Sequence, residues 1–179
     1  MRLNSREHVM RLNEPLHIPE RKARQDQNWS LLPVVAVSIT EINDYLFWLQ
    51  NSNPQMRARP CTELEWERAA RGADGREYPQ GTVLSATDAN YFDTYGKNMA
   101  TIGPDEVSTY PASRGPFGLE ETCGNAAEFT RSSLQDGEYV LRGGNYSGTS
   151  NDVRSSNRQP VSPAFRSVGA GFRVCADLK

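Results

Sequence analysis

The amino-acid sequence predicts an α+β domain, and three observations carry the prediction. Two segments open with a capping box and continue as one-sided apolar stripes. Short strand-like pieces recur in the second half of the chain. Between them run long stretches punctuated by glycine and proline. Two helices with short strands and long loops make an α+β domain.

The elements follow in chain order. Residues 1–30 are polar and interrupted by Pro15 and Pro19, with charges at Arg21, Lys22, Arg24 and Asp26. The tetrapeptide Met1–Asn4 recurs at Met10–Asn13, too short to make a structural repeat. This segment reads as an N-terminal arm, lying across the body or contacting a second copy or a scaffold partner; a disordered leader is the alternative. Residues 31–179 form the domain proper. Leu31 to Val37 is an apolar run of buried-strand type, with Pro33 near its start. Ser38 and Glu41 then form a capping box, and Ile42, Tyr45, Leu46 and Leu49 follow as one helical stripe. The run Asn51–Pro54 ends that helix. Thr62 and Glu65 open a second helix, with Leu64, Trp66, Ala69 and Ala70 as apolar contacts and Gly72 as its stop. Residues 73–117 form a long loop region, of the kind that is functional or is held by something such as a metal ion. Strands are expected around 127–131, 139–142 and 171–175.

At 179 residues the chain is long enough for one domain with a real core. With 20 Lys+Arg against 22 Asp+Glu, the net charge of −2 argues against a dedicated nucleic-acid binder. No apolar run approaches the ~18 residues of a membrane span, and the N-terminus lacks a signal-type hydrophobic region. The three cysteines, Cys61, Cys123 and Cys175, are widely spaced, and the two histidines, His8 and His17, lie in the arm. That pattern argues against a zinc site and against a disulfide framework; it reads as buried free thiols in a reducing compartment.

The segment from Leu141 to Lys179 is the most informative. Arg142, Arg154, Arg158, Arg166 and Arg173 are spread among glycines and small polar residues, with no helix or strand period. Leu141, Tyr146, Val153, Phe165, Phe172 and Val174 recur as anchors, which argues against disorder. The pattern is an arginine–glycine framework carrying interchangeable side chains, as a binding face requires. The arginines read as donors that hold loops through carbonyls and carboxylates. On that reading Arg154→Ala should lower stability more than it changes ligand affinity.

The residues then resemble a known family. Arg59–Gly72 (RPCTELEWERAARG), Gly118–Phe129 (GLEETCGNAAEF), Leu141–Tyr146 (LRGGNY), Arg154–Arg158 and Gly171–Val174 are similar, in order and spacing, to the motifs of the formylglycine-generating-enzyme (sulfatase-modifying-factor) family. The resemblance implies a C-type lectin fold with small twisted antiparallel sheets. Aerobic enzymes of that family use two cysteines to bind copper and the substrate thiol, and those places fall here at Gly148 and Val153. Without thiolates there, the expectation is no copper and no enzyme activity. The segment about 141–174 looks similar to the variable regions of diversity-generating retroelement proteins, whose C-terminal loops are rewritten at adenines, commonly in Asn codons, and displayed for binding. An ordinary loop composition is the alternative reading.

The resemblance implies a ligand-binding protein, with a degenerate or copper-independent relative of the enzyme as the alternative. A third reading is a sensor domain that works only in a complex, through residues 1–30. The partner of the first reading would be a protein or cell-surface ligand, and the setting a virion or cell surface reached through a partner, of viral or prokaryotic origin. The exposed contacts are expected to be Tyr146, Ser147, Gly148, Ser150, Asn151 and Asp152 in the first loop. Gln159, Val161, Ser162, Phe165, Ser167, Val168 and Gly169 are expected to complete the face, with Tyr146 and Phe165 as aromatic anchors. Core packing is the alternative for Phe165 and Val168. The family also implies a structural calcium ion between side chains at Glu121 and Glu128 and carbonyls near Gly124 and Ala126. A turn in which Glu128 accepts backbone hydrogen bonds is the alternative.

Overall fold

A computed structural model of the chain describes residues 15–132 and 137–178. Both helices start where their capping boxes place them. At α1 (Ile39–Ser52) the Ser38 N–H donates to the Glu41 carboxylate at 2.8 Å, and the Glu41 N–H donates back to the Ser38 hydroxyl at 3.4 Å. Thr62 and Glu65 repeat this at α2 (Glu63–Arg71). Each box satisfies donors that a first helical turn leaves without partners.

Among the described residues, eight short strands surround the helices. A two-residue hairpin pairs β1 (Leu16–His17) with β2 (Asp26–Gln27). β3 (Met56–Pro60) pairs antiparallel with β8 (Val174–Leu178). The remaining four form one sheet in the order β6 (Arg158–Val161), β5 (Tyr139–Arg142), β4 (Ala127–Arg131), β7 (Ala170–Phe172). Its β4–β7 contact is parallel, so this sheet is mixed where an antiparallel one was expected. The long excursion after β5 brings the chain back along β4 in the same direction, which only a parallel pairing accepts. α1 lays Ile39, Ile42 and Leu46 on Ala127, Phe129, Leu141 and Ala170 to make the main core. Tyr45, placed on the apolar stripe by spacing, is 43% exposed.

Residues 31–37 do not form the expected buried strand. Trp29–Leu31 is a turn of 3-10 helix and Val34 is 62% exposed. Among the described residues, the segment joins the sheet by the isolated Val35–Gly171 bridge. Pro33 lacks the N–H a ladder needs, and Ala36 turns the chain at φ 60°.

The cysteines also differ from expectation. Cys61 and Cys175, 114 residues apart, form a disulfide with 5.0 Å between their Cα atoms. The β3–β8 register sets Pro60 opposite Val174 and so brings the two neighbouring positions together. Arg59 reinforces the same junction, reaching Glu65 and Asp177 at 2.7 Å each. The pairing removes the argument for a reducing compartment. Cys123 stays free and buried.

Residues 15–30 lie across the body and are built into it. Arg21 donates to the carbonyls of Thr101 (2.7 Å) and Gly103 (2.8 Å) and to Asp105 (2.6 Å). The Glu106 N–H donates to the Gln27 side chain at 2.9 Å. The long loop is gripped from its other side by two asparagines. Asn90 donates to Gly103 O (2.9 Å) and to Asn125 Oδ1 (3.1 Å). Asn125 accepts from the Asp105 N–H (2.9 Å) and donates to Asp105 O (3.0 Å). Protein side chains thus hold the segment for which a metal was one expected support. The anchors come from distant parts of the chain, so no local pattern announces them.

Candidate functional site

The site grows from the residues that leave the sheet after β5. Arg142, at the end of β5, is 1% exposed. It donates to the carbonyls of Ser155 (2.8 Å) and Ser156 (3.3 Å), pairs with Glu67 and lies 3.7 Å from Glu63. Burial pulls its pKa down and the two carboxylates of α2 push it back up. Arg158 binds Glu63 through two bonds of 2.9 and 2.8 Å. Arg173 grips Glu128 at 2.7 Å and donates to Glu120 O at 2.9 Å. These three arginines tie the loops to α2 and to the β4 turn, the holding role expected of them. Arg154 differs: it is 43% exposed and meets Glu77 at 3.2 Å. A solvent-screened surface pair contributes little, so Arg142, not Arg154, is the framework residue whose loss destabilises.

The intervening loops fix themselves. Asn145 accepts from the Ser147 N–H (2.9 Å) and hydroxyl (2.7 Å), and Asp152 accepts from the Thr149 N–H (2.7 Å) and hydroxyl (2.7 Å). Such turns hold a loop in one shape without a ligand. Of the expected contacts, Ser147, Ser150, Asn151, Asp152, Gln159, Ser162 and Val168 are exposed. Tyr146, Gly148 and Ser167 are half-buried, and the Tyr146 hydroxyl donates to Val168 O at 3.4 Å.

Three positions belong elsewhere. Phe165 is no free anchor: its ring meets Phe129 edge-on at 6.3 Å and, with Val161, packs against the main core. Gly169 is buried under Asn145, whose amide nitrogen lies 2.6 Å from where a Cβ would sit. Apolar side chains beside an unfilled sheet face bury against it, whatever loop they belong to.

At the turn before β4, Glu128 has no oxygen free of a donor. Trp66 Nε1 donates to Oε2 at 2.6 Å, and the Arg173 guanidinium covers both oxygens at 2.7–3.2 Å. Glu121, at φ 57°, accepts instead from the Thr109 N–H (3.2 Å) and the Asn125 amide (3.3 Å). Gly124 and Ala126 are buried between them. No group of three His, Cys, Asp or Glu side chains suited to a metal occurs among the described residues. The turn does not fit a calcium ion, because the guanidinium already supplies the positive charge. Melting temperatures with calcium and with a chelator are expected to coincide; a rise of several degrees with calcium would mean that Glu128 releases Arg173.

The positions of the two family cysteines do lie together. A Cβ on Gly148 would be 3.7 Å from Val153 Cγ1. Val153 is fully buried in a cluster with Tyr78, Tyr91 and Cys123. Burial pushes the Cys123 thiol up to about 12, which leaves it protonated and inert at neutral pH.

Comparison with known proteins bears on both the fold and the chemistry. The profile of the sulfatase-modifying factor enzyme 1-like domain matches residues 7–178. Hercynine oxygenase of Mycobacterium tuberculosis is 32% identical over 82% of this chain, which spans 37% of that relative's length. Among solved structures, Treponema denticola variable protein 1 superposes with a TM-score of 0.71 at 20% identity, covering 86% of this chain and 73% of that one. PvdO from Pseudomonas aeruginosa gives 0.70 at 23% identity, covering 85% and 64%. These neighbours share the C-type lectin-like fold.

The expectation of no enzyme role, drawn from Gly148 and Val153, is overturned by this kinship. The relatives include an enzyme named as an oxygenase. Two missing cysteines bear on one thiolate chemistry and leave other chemistries of the fold untouched. With the motifs in series, the two helices and mixed sheet in place, and the profile matched almost end to end, the chain belongs to the sulfatase-modifying factor enzyme 1-like domain family.

Proposed function

We propose that this chain is a recognition domain whose C-terminal segment, about 141–174, displays a binding surface of the retroelement variable-protein type, directed at a protein or cell-surface ligand. The observation that carries the reading is a division of labour within that segment. Arg142, Arg158 and Arg173 are locked onto Glu63, Glu67 and Glu128. The side chains of Ser147, Ser150, Asn151, Gln159, Ser162 and Val168 point into solvent between them. Stability and decoration thus rest on different residues, as a surface that changes from copy to copy requires. The fold likeness to a protein titled variable protein 1 supports the same reading.

Simultaneous replacement of those six exposed residues is expected to shift stability by no more than ~0.5 kcal/mol each, whereas Arg142→Ala alone is expected to cost about 3–5 kcal/mol. Thermal melts of the two variants compare them directly. The genetic half of the proposal is read from the neighbouring genome sequence. A near-copy of the stretch encoding 141–174, differing only at adenines and beside a reverse transcriptase, is expected. Its absence would reduce the proposal to an undiversified binding module.

A second reading is favoured by the 32% identity to hercynine oxygenase: the domain serves an oxidative enzyme. Oxygen consumption with hercynine or a thiol peptide, with iron or copper added, tests it. Turnover would establish it over the first.

A further inference from the structure

A cavity of about 420 Å³ opens on the side of the molecule framed by the 33–37 segment, α1, the turn before β4 and the end of β7. None of the variable-segment contacts named above lines it. Its walls are apolar and aromatic: Val34, Val37, Tyr45 and Phe172 face it. The Tyr45 ring meets Phe172 edge-on at 5.6 Å, so the two lining rings pack together; Trp48, outside the lining, meets Tyr45 at 5.6 Å. Its size and lining are those of small-molecule sites.

The charges lining it are unequal. Three carboxylates, Glu41, Glu121 and Glu128, face it with one guanidinium, Arg173. Arg173 is committed to Glu128, and Glu41 pairs with Arg166 at 3.0 Å. Glu121 makes no ion pair among the described residues; a backbone N–H and an amide are its donors. The guanidinium lining the cavity, Arg173, is held by Glu128, so Glu121 has no full countercharge of its own. A cation brought alongside it would gain both that countercharge and the faces of the neighbouring rings.

We propose that this cavity binds a small organic cation with an apolar body, an aryl- or alkylammonium. Its charge sits against Glu121 and its body lies between Val34, Val37, Tyr45 and Phe172. Aromatic walls with one carboxylate that makes no ion pair among the described residues select such a ligand against anions and against neutral apolar molecules of the same shape.

The test is an NMR titration of the isotopically labelled full chain at neutral pH with phenethylammonium chloride, and in parallel with the neutral analogue phenethyl alcohol. Saturable shifts are expected at residues 34–37, 121–126 and 171–174, with the alcohol binding about tenfold or more weakly. Glu121→Gln keeps an acceptor for the Thr109 N–H but removes the charge, and is expected to weaken phenethylammonium binding about tenfold. Tyr45→Ala, on the solvent side of α1, should weaken it without unfolding the chain and serves if Glu121→Gln does not fold. Equal affinity for amine and alcohol would overturn the proposal. So would undiminished binding by either folded variant, shifts elsewhere, or no saturation by about 10 mM.

Discussion

Replacing Arg21 with alanine is expected to lower stability by about 3–5 kcal/mol, the usual cost of leaving one member of a buried ion pair alone. For a chain of this size that is a fall in Tm of roughly 6–20 °C. Arg21 and Asp105 have side chains with 0% exposure and meet at 2.6 Å. Asp105 also accepts from the hydroxyls of Tyr95 (2.8 Å) and Tyr110. Desolvation, then the Asp105 charge, raises the Tyr110 pKa, so this hydroxyl stays a donor. Without the guanidinium, Asp105 would be a buried charge held by phenols, the Thr101 carbonyl would lose its donor, and the Gly103 carbonyl would keep only Asn90. The double variant Arg21→Met with Asp105→Asn should recover much of the loss, since no buried charge remains unpaired. Urea melts of the two variants check this. A single-variant loss below ~1 kcal/mol would mean that residues 15–30 are a loosely attached arm.

The second large effect is expected at Gly124. Its φ is 80°, and a Cβ there would lie 2.1 Å from the Asn90 carbonyl oxygen and 2.9 Å from the Asn90 carbonyl carbon. Gly124→Ala combines overpacking, about 1–3 kcal/mol, with a left-handed backbone, about 1–2 kcal/mol. A loss of about 2–5 kcal/mol is expected. The strain should spread, because the obstructing backbone belongs to Asn90, which holds Gly103 and Asn125. Gly75 is the control: its φ is 71°, and nothing lies within 4 Å of an added Cβ. Gly75→Ala should show the backbone part alone. Similar Tm values for the two variants would show that the close approach to Asn90 does not matter.

Much of the fold was legible because its signals are local. A capping box needs two residues three apart, and both boxes form as the sequence spells them, at Ser38–Glu41 and Thr62–Glu65. The strands at 127–131 and 139–142 are short local pieces, and they pair with each other as β4 and β5. The Leu31–Val37 run misled because apolar composition says nothing about whether a partner strand is present, and Val34 is exposed beside a cavity. Phe165 and Gly169 misled for the opposite reason. They sit among polar loop residues, yet the path from β6 back to β7 carries them onto the core side.

The candidate sites divide the same way. The arginine framework and the small polar residues between its members stand in sequence as a pattern. The rings and the carboxylate around the cavity, Tyr45, Phe172 and Glu121, come from three segments far apart along the chain and share no single motif. The one available hint was Tyr45, an aromatic residue on the edge of a helical stripe.

By itself, then, the sequence determined the helices, the principal strands, the family motifs and the spacing of arginines among small polar residues, because each depends on residues near one another along the chain. The tertiary structure alone decided that Cys61 reaches Cys175, that Arg21 is buried against Asp105, and that Glu121 faces an apolar cavity without an ion-pair partner among the described residues. Those outcomes depend on strand register and on how distant loops pack. These are set by the energy of the whole assembly, which no short stretch of residues encodes.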